Sequence, residues 1–175
     1  MWVGYHERNV GDCQRSVKKF DNVCLSQQNI VTLSLEDQYD TTFSYGGVWY
    51  FSDYSEGLFL ISHIYDGADN KKAIERLSKH IKPGGKLLLG IQGPHYDYRK
   101  SVSNGMIYSK NIVPTSYGFR KYYYLMSEDR TVMTQTILYR TYTFDEAISL
   151  LADHGLVYNP EKRTESEFFV EFEKI

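Results

Sequence analysis

Cysteine is nearly absent from this sequence. Cys13 and Cys24 are the two among 175 residues, too few for a disulfide framework or a cysteine-built zinc site. They read as free thiols in a reducing compartment, which predicts a cytoplasmic protein. Long apolar runs are also missing. Stretches such as Leu58–Ile61 fall far short of the roughly 20 residues that span a bilayer, so no membrane segment is expected. The first residues show no charged-then-apolar leader, which argues against secretion. Neither charge sign dominates: 20 Lys and Arg face 22 Asp and Glu. That balance lacks the basic stripe of a nucleic-acid surface. No repeat, low-complexity tract or Pro/Ser-rich linker appears, so one domain over 1–175 is the economical reading. The five histidines are too scattered in sequence for a metal centre. Aromatics are what the chain has in quantity, with 16 Tyr, 9 Phe and 2 Trp. A tyrosine ring with its polar tip suits a binding cleft or an interface, and it suits ordinary strands equally.

The order of elements gives the fold class. Trp2–Tyr5 reads as the end of a strand, and Asp12–Phe20 as a weakly periodic helix. Asn29–Leu33 reads as a short strand. Thr41–Ser44 follows as a β-branched strand that stops at Gly46-Gly47. Leu58–Ile64 reads as a short helix. Asp69 or Asn70 can cap a helix through Ala73, Ile74, Leu77 and Ile81, with Lys79, His80 and Lys82 in its last turn. Pro83-Gly84-Gly85 stops that helix. Lys86–Ile91 is then apolar on both faces, as buried parallel strands are. Phe119–Met126 and Thr131–Tyr142 form an antiparallel hairpin. Thr143 opens a capping box with Glu146, and the helix closes at Gly155. Glu167–Lys174 is a last strand. Alternation of this kind predicts an α/β sheet, at least partly parallel, with an inserted antiparallel hairpin at about 117–142.

Three segments in this order resemble the second half of a class I S-adenosylmethionine-dependent methyltransferase. Tyr39-Asp40-Thr41-Thr42-Phe43-Ser44-Tyr45 resembles the family's fourth strand. Leu77-Ser78-Lys79-His80-Ile81-Lys82-Pro83-Gly84-Gly85 with Lys86-Leu87-Leu88-Leu89 resembles its helix and Lys-Pro-Gly-Gly step into the fifth strand. Tyr142–Leu151 with His154-Gly155-Leu156 resembles its last helix. The resemblance implies a Rossmann-like sheet, S-adenosylmethionine as cofactor and methyl transfer to a small molecule. One hallmark departs: no acidic, glycine-rich turn matches the family's cofactor loop. On this alignment Glu7, or His6 beside it, holds the ribose position, and the family's first strand has no counterpart. Either the domain is N-terminally incomplete or Trp2–Tyr5 takes that strand's place. An incomplete sheet leaves an unpaired edge, which invites a second copy or a partner chain.

The same resemblance puts Ser44, Tyr45 and Gly46 beside the methionine part of the cofactor, and Leu35 and Glu36 near its adenine. Tyr45, Trp49 and Tyr50 can offer ring faces to a sulfonium or an amine. The competing reading makes Val48–Phe51 plain core or a dimer surface. Gln92–Tyr98 follows the buried strand, where open α/β sheets bind ligands. There His95 can serve as a general base, beside Gln92 and Tyr96 as substrate contacts. As the bland alternative, His95 only bonds backbone. His63 is a cleft residue or a structural one, and His80 and His154 read as helix-dipole partners. Two functions remain open: a small-molecule methyltransferase, or a non-catalytic binding and assembly module that kept the lobe and lost the cofactor loop.

Overall fold

The computed structural model describes residues 20–103, 105–128, 130–162 and 167–175. The expectations for Trp2–Tyr5, for a helix from Asp12, and for His6, Glu7 and Cys13 lie outside the described residues.

The chain forms β1 (Tyr39–Ser44), β2 (Trp49–Tyr54), β3 (Gly57–Ser62), α1 (Gly67–Ser78), β4 (Ile81–Gln92) and β5 (Tyr98–Ser101). It continues with β6 (Ile107–Thr115), β7 (Gly118–Ser127), β8 (Arg130–Thr143), α2 (Phe144–Ala152), β9 (Leu156–Tyr158) and β10 (Phe169–Lys174). These ten strands join in one sheet, ordered β5-β6-β7-β8-β3-β2-β4-β10-β9, with β1 also on β4. β1 and β2 both run parallel to β4, and the other pairs are antiparallel. This is the expected α/β architecture, with β4 joining β1, β2 and β10.

The step from β1 to β2 shapes the molecule. Ser44 lies opposite Leu89 and Phe51 opposite Ile91. The chain between Ser44 and Phe51 therefore passes one short stretch of β4, and Tyr45–Val48 must loop out. Ser44 closes the loop by donating its hydroxyl to the Trp49 carbonyl at 2.7 Å. Gly46 sits there at φ +65, a conformation that glycine adopts without a Cβ penalty.

One face of the sheet is covered by α1 and α2. Trp49, Phe51, Leu60, Leu87, Leu89, Val170 and Phe172 point into that core against Ile74 and Leu151. Phe51 lies between Phe144 and Phe172, with centroids 5.6 and 6.4 Å away. Asn70 of α1 is buried with its amide satisfied. Its Oδ1 accepts from Trp49 Nε1 and Ser62 Oγ, and its Nδ2 donates to the carbonyls of Ile64 and Asp66. That network fixes α1 to β2 and β3.

Several sequence expectations change. Asn29–Leu33 is a 3-10 turn at Ile30–Thr32, not a strand. Asn29 accepts from the Val31 N–H, which favours a turn over an extended chain. Leu58–Ile64 is not a helix: Leu58–Ser62 lies in strand β3, where its apolar side chains serve both faces of the sheet. Asp66 caps α1 in place of Asp69 or Asn70. That helix ends at Ser78, so His80 and Lys82 are outside its last turn, and Pro83-Gly84-Gly85 lies within β4. Strands β5 and β6 form within Gln92–Ser116. The capping box of Thr143 and Glu146 is present, and Gly155 ends that turn at φ +76.

Candidate functional site

The carboxyl ends of β1, β2 and β4 meet on the face that neither described helix covers. Two neighbouring patches form there. In the first, the looped-out Tyr45 lays its ring across β4 at Gly90. A Cβ on Gly90 would come within 2.6 Å of Tyr45 Cδ2, so any larger residue would push the ring off β4. Tyr45 remains 59% exposed, with its ring 5.8 Å from Phe169. The Gln92 amide lies under Gly46, 3.2 Å from where a side chain would start. Ser44, Tyr45, Gly46 and Gln92 thus lie together at this strand end, and the Ser44 hydroxyl is spent on the turn.

The second patch centres on His95. The loop after β4 is pinned to β2: Ser52 Oγ donates to the Gly93 carbonyl at 3.0 Å, and the His95 N–H reaches Tyr54 Oη at 3.3 Å. The His95 ring lies between Tyr50 Oη, 2.9 Å from Nε2, and Lys121 Nζ, 2.8 Å from Nδ1. An ammonium only donates, so Nδ1 accepts and Nε2 carries the proton that it gives to Tyr50. Burial, and then the charges of Lys121, Lys110 and His63, push the His95 pKa from 6.5 down to about 4. The imidazole is neutral at physiological pH. Burial and then Lys110 pull Lys121 down to about 8, so it is still largely charged at neutral pH. The Tyr50 phenol is pushed above its ordinary value by burial, then by Tyr123 and Tyr54.

The inserted strands supply the wall of this patch. Phe119, Lys121 and Tyr123 alternate onto one face of β7, and register places Tyr139 beside Phe119 and Ile112 beside Lys121. Tyr139 stacks on Phe119 at 4.9 Å and meets His63 edge-on at 4.6 Å. The His63 ring, packed on tyrosines with an outer edge in solvent, has its pKa lowered by desolvation and then by Lys121. Tyr96 stands beside Tyr98, with Lys110 over both rings.

Other candidates fall elsewhere. Trp49 is 3% exposed and points into the helix-covered core, its indole N–H held by Asn70. Leu35 and Glu36 precede β1. The Leu35 N–H donates to His80 Nε2, and His80 Nδ1 meets the Asp37 carbonyl. They therefore sit at the amino end of β1, a six-residue strand away from Tyr45, or about 18 Å. His80 is a clasp for this loop rather than a dipole partner. Asp40 is also at that end, paired with Lys82 at 2.9 Å, which holds its carboxyl below the usual range. A groove of about 790 Å³ opens on the opposite face of β7 and β8, beside α2. Arg140 at its floor is already held between Tyr117 and Tyr142, 4.7 and 5.3 Å from the ring centroids. The groove is remote from the strand ends where this architecture gathers reactive groups. Lys121, Lys110 and Tyr139 were not singled out from the sequence. The signal was available in the period-two set Phe119, Lys121, Tyr123, where a lysine interrupts an aromatic stripe.

No protein-family model matches the chain, and no curated protein matches it in sequence. Solved structures do match in shape. An S-adenosylmethionine-dependent methyltransferase from Clostridium acetobutylicum superposes with TM-score 0.66 at 14% identity, over 98% of this chain and 71% of the other. CalS10, an amino pentose methyltransferase from Micromonospora echinaspora, gives 0.64 at 13% identity, over 99% and 72%. The sugar N-methyltransferase KedS8 from a Streptoalloteichus species gives 0.64 at 12% identity, over 98% and 69%. The chain thus has the fold of class I S-adenosylmethionine-dependent methyltransferases.

Proposed function

We propose that this chain is an S-adenosylmethionine-dependent methyltransferase acting on a small molecule. The observation that carries the reading is the junction of β1, β2 and β4. In a methyltransferase fold, this chain places an exposed ring, a left-handed glycine and an amide at one strand end, beside a histidine–tyrosine–lysine cluster.

The residues present fit the cofactor's methionine end. Tyr45 offers a ring face suited to a sulfonium. Gly90 gives the Tyr45 ring its place across β4, and Gln92, beneath Gly46, provides both a donor and an acceptor. When bound, the cofactor supplies an electrophilic methyl group. The chain's own part is placement, because an in-line displacement depends on position more than on acid or base. Both ring nitrogens of neutral His95 are engaged, Nε2 with Tyr50 and Nδ1 with Lys121, so His95 positions these two groups rather than acting as a free base. The fold match to sugar N-methyltransferases supports a small-molecule acceptor.

Calorimetric titration with S-adenosylhomocysteine tests the reading. Saturable binding that weakens about tenfold or more in Tyr45→Ala or Gly90→Ala is the expected result, the size of one lost aromatic contact. Absence of binding by the wild-type chain would instead favour the binding-module reading.

A further inference from the structure

We infer that the acceptor at the His95 patch carries an anionic oxygen on an aromatic ring, a phenolate or a carboxylate, and that Lys121 holds it. The word acceptor rests on the methyltransferase reading above; the anion site does not.

Lys121 and Lys110 share one face of β6 and β7, with Lys110 opposite Tyr123 and Lys121 opposite Ile112. They are 4% and 9% exposed. Buried cations are ordinarily paired with carboxylates. Among the described residues neither lysine forms an ion pair. Asp97, the acid that acts on Lys110, has Oδ1 taken by the Ile112 N–H at 2.6 Å. Lys121 meets only neutral groups: His95, and the rings of Tyr139 and Phe119 at 4.5 and 5.5 Å. A ring face compensates a desolvated charge less than an oxyanion does.

His95 occupies one of the three N–H directions of Lys121, which leaves donors for a ligand. Two lysines side by side disfavour an ammonium acceptor by like-charge repulsion and favour an anion. Lys121 lies among aromatic side chains, over the rings of Tyr139 and Phe119, with Tyr50 on the other side of His95, so an aromatic anion is the partner whose chemistry matches its surroundings. The amine acceptors named for CalS10 and KedS8 would have to approach two buried cations here.

Four probes on the full chain test this: 4-nitrophenol, benzoate, the neutral 4-nitroanisole and the cationic benzylamine. At neutral pH, 4-nitrophenol should bind with its phenolate absorbance enhanced, because a cation lowers its apparent pKa. It or benzoate should bind about tenfold or more tighter than 4-nitroanisole, the size of one charge-assisted hydrogen bond. Which of the two anions binds distinguishes phenolate from carboxylate. Lys121→Met should abolish the preference, and Lys121→Arg should retain most of it. Lys121→Gln serves as a second neutral variant, with thermal melting to show that each is folded. Four results overturn the inference: equal binding of 4-nitroanisole, tighter binding of benzylamine, a preference that survives Lys121→Met, or no binding of either anion. S-adenosylhomocysteine binding is measured in parallel. Its absence beside a Lys121-dependent anion preference would overturn the methyltransferase reading and leave the anion site standing.

Discussion

The two faces of the central strands are built on opposite terms. On the helix-covered face, Trp49, Phe51 and Phe172 are buried against apolar partners, and the one deep amide, Asn70, has its hydrogen bonds filled. On the other face, Tyr50 of β2, Ile61 of β3 and Tyr139 of β8 are buried together, with His95 and Lys121 beside the two tyrosine rings. A lysine is nearly buried there among neutral groups. The first face gains stability from every side chain. The second spends some of it on a desolvated cation, which is how functional sites differ from cores.

The contrast predicts how variants divide. Phe51→Ala should cost the most, about 3–5 kcal/mol in denaturant unfolding, because it opens a void between Phe144 and Phe172. Asn70→Ala should follow at about 2–3 kcal/mol, since it strands the Trp49 N–H and the Ser62 hydroxyl inside the core. Equal losses from Tyr50→Ala would break the comparison. On the other face, Lys121→Met should leave stability unchanged or raise it by about 1 kcal/mol, because it removes a buried charge that lacks a counter-ion.

Two pH effects are smaller and more specific. The unfolded chain holds the Lys121 proton up to 10.5, whereas the folded chain releases it near 8. Stability should therefore rise as pH passes from 8 towards 10.5, and Lys121→Met should flatten that rise. Lys110, His95 and His63 face Lys121 on this side, with Asp97 acting on Lys110. For His95, the unfolded imidazole binds a proton near 6.5, and the folded one near 4. Stability should be lost as pH falls from 6.5 towards 4, and His95→Gln should lessen the slope in thermal melts.

Legibility in the sequence followed the range of the forces involved. The Thr143–Glu146 box, the helix through Ile74 and Leu77, and the buried strand Lys86–Ile91 rest on local pattern, and each was readable. Leu58–Ile64 was misread because an unbroken apolar run has the same appearance in a buried strand and a helix. Leu35 and Glu36 were placed near a ligand by alignment to a strand. That stretch contains a turn, and the clasp by His80 sets the two residues at the far end of β1. Trp49 and Tyr50 adjoin in sequence, yet they face opposite sides of the sheet.

The sequence by itself determined the α/β order, the Thr143–Glu146 cap and the break after β1 at Gly46-Gly47, because glycines, cap residues and period-two stripes act over a few neighbours. It also brought Tyr45, Gly46 and His95 under suspicion. Tertiary structure alone decided that Lys121, from an inserted strand, meets His95 from the loop after β4. No local pattern encodes that meeting. It depends on the register of β6, β7 and β8 and on which face each strand turns towards the helices.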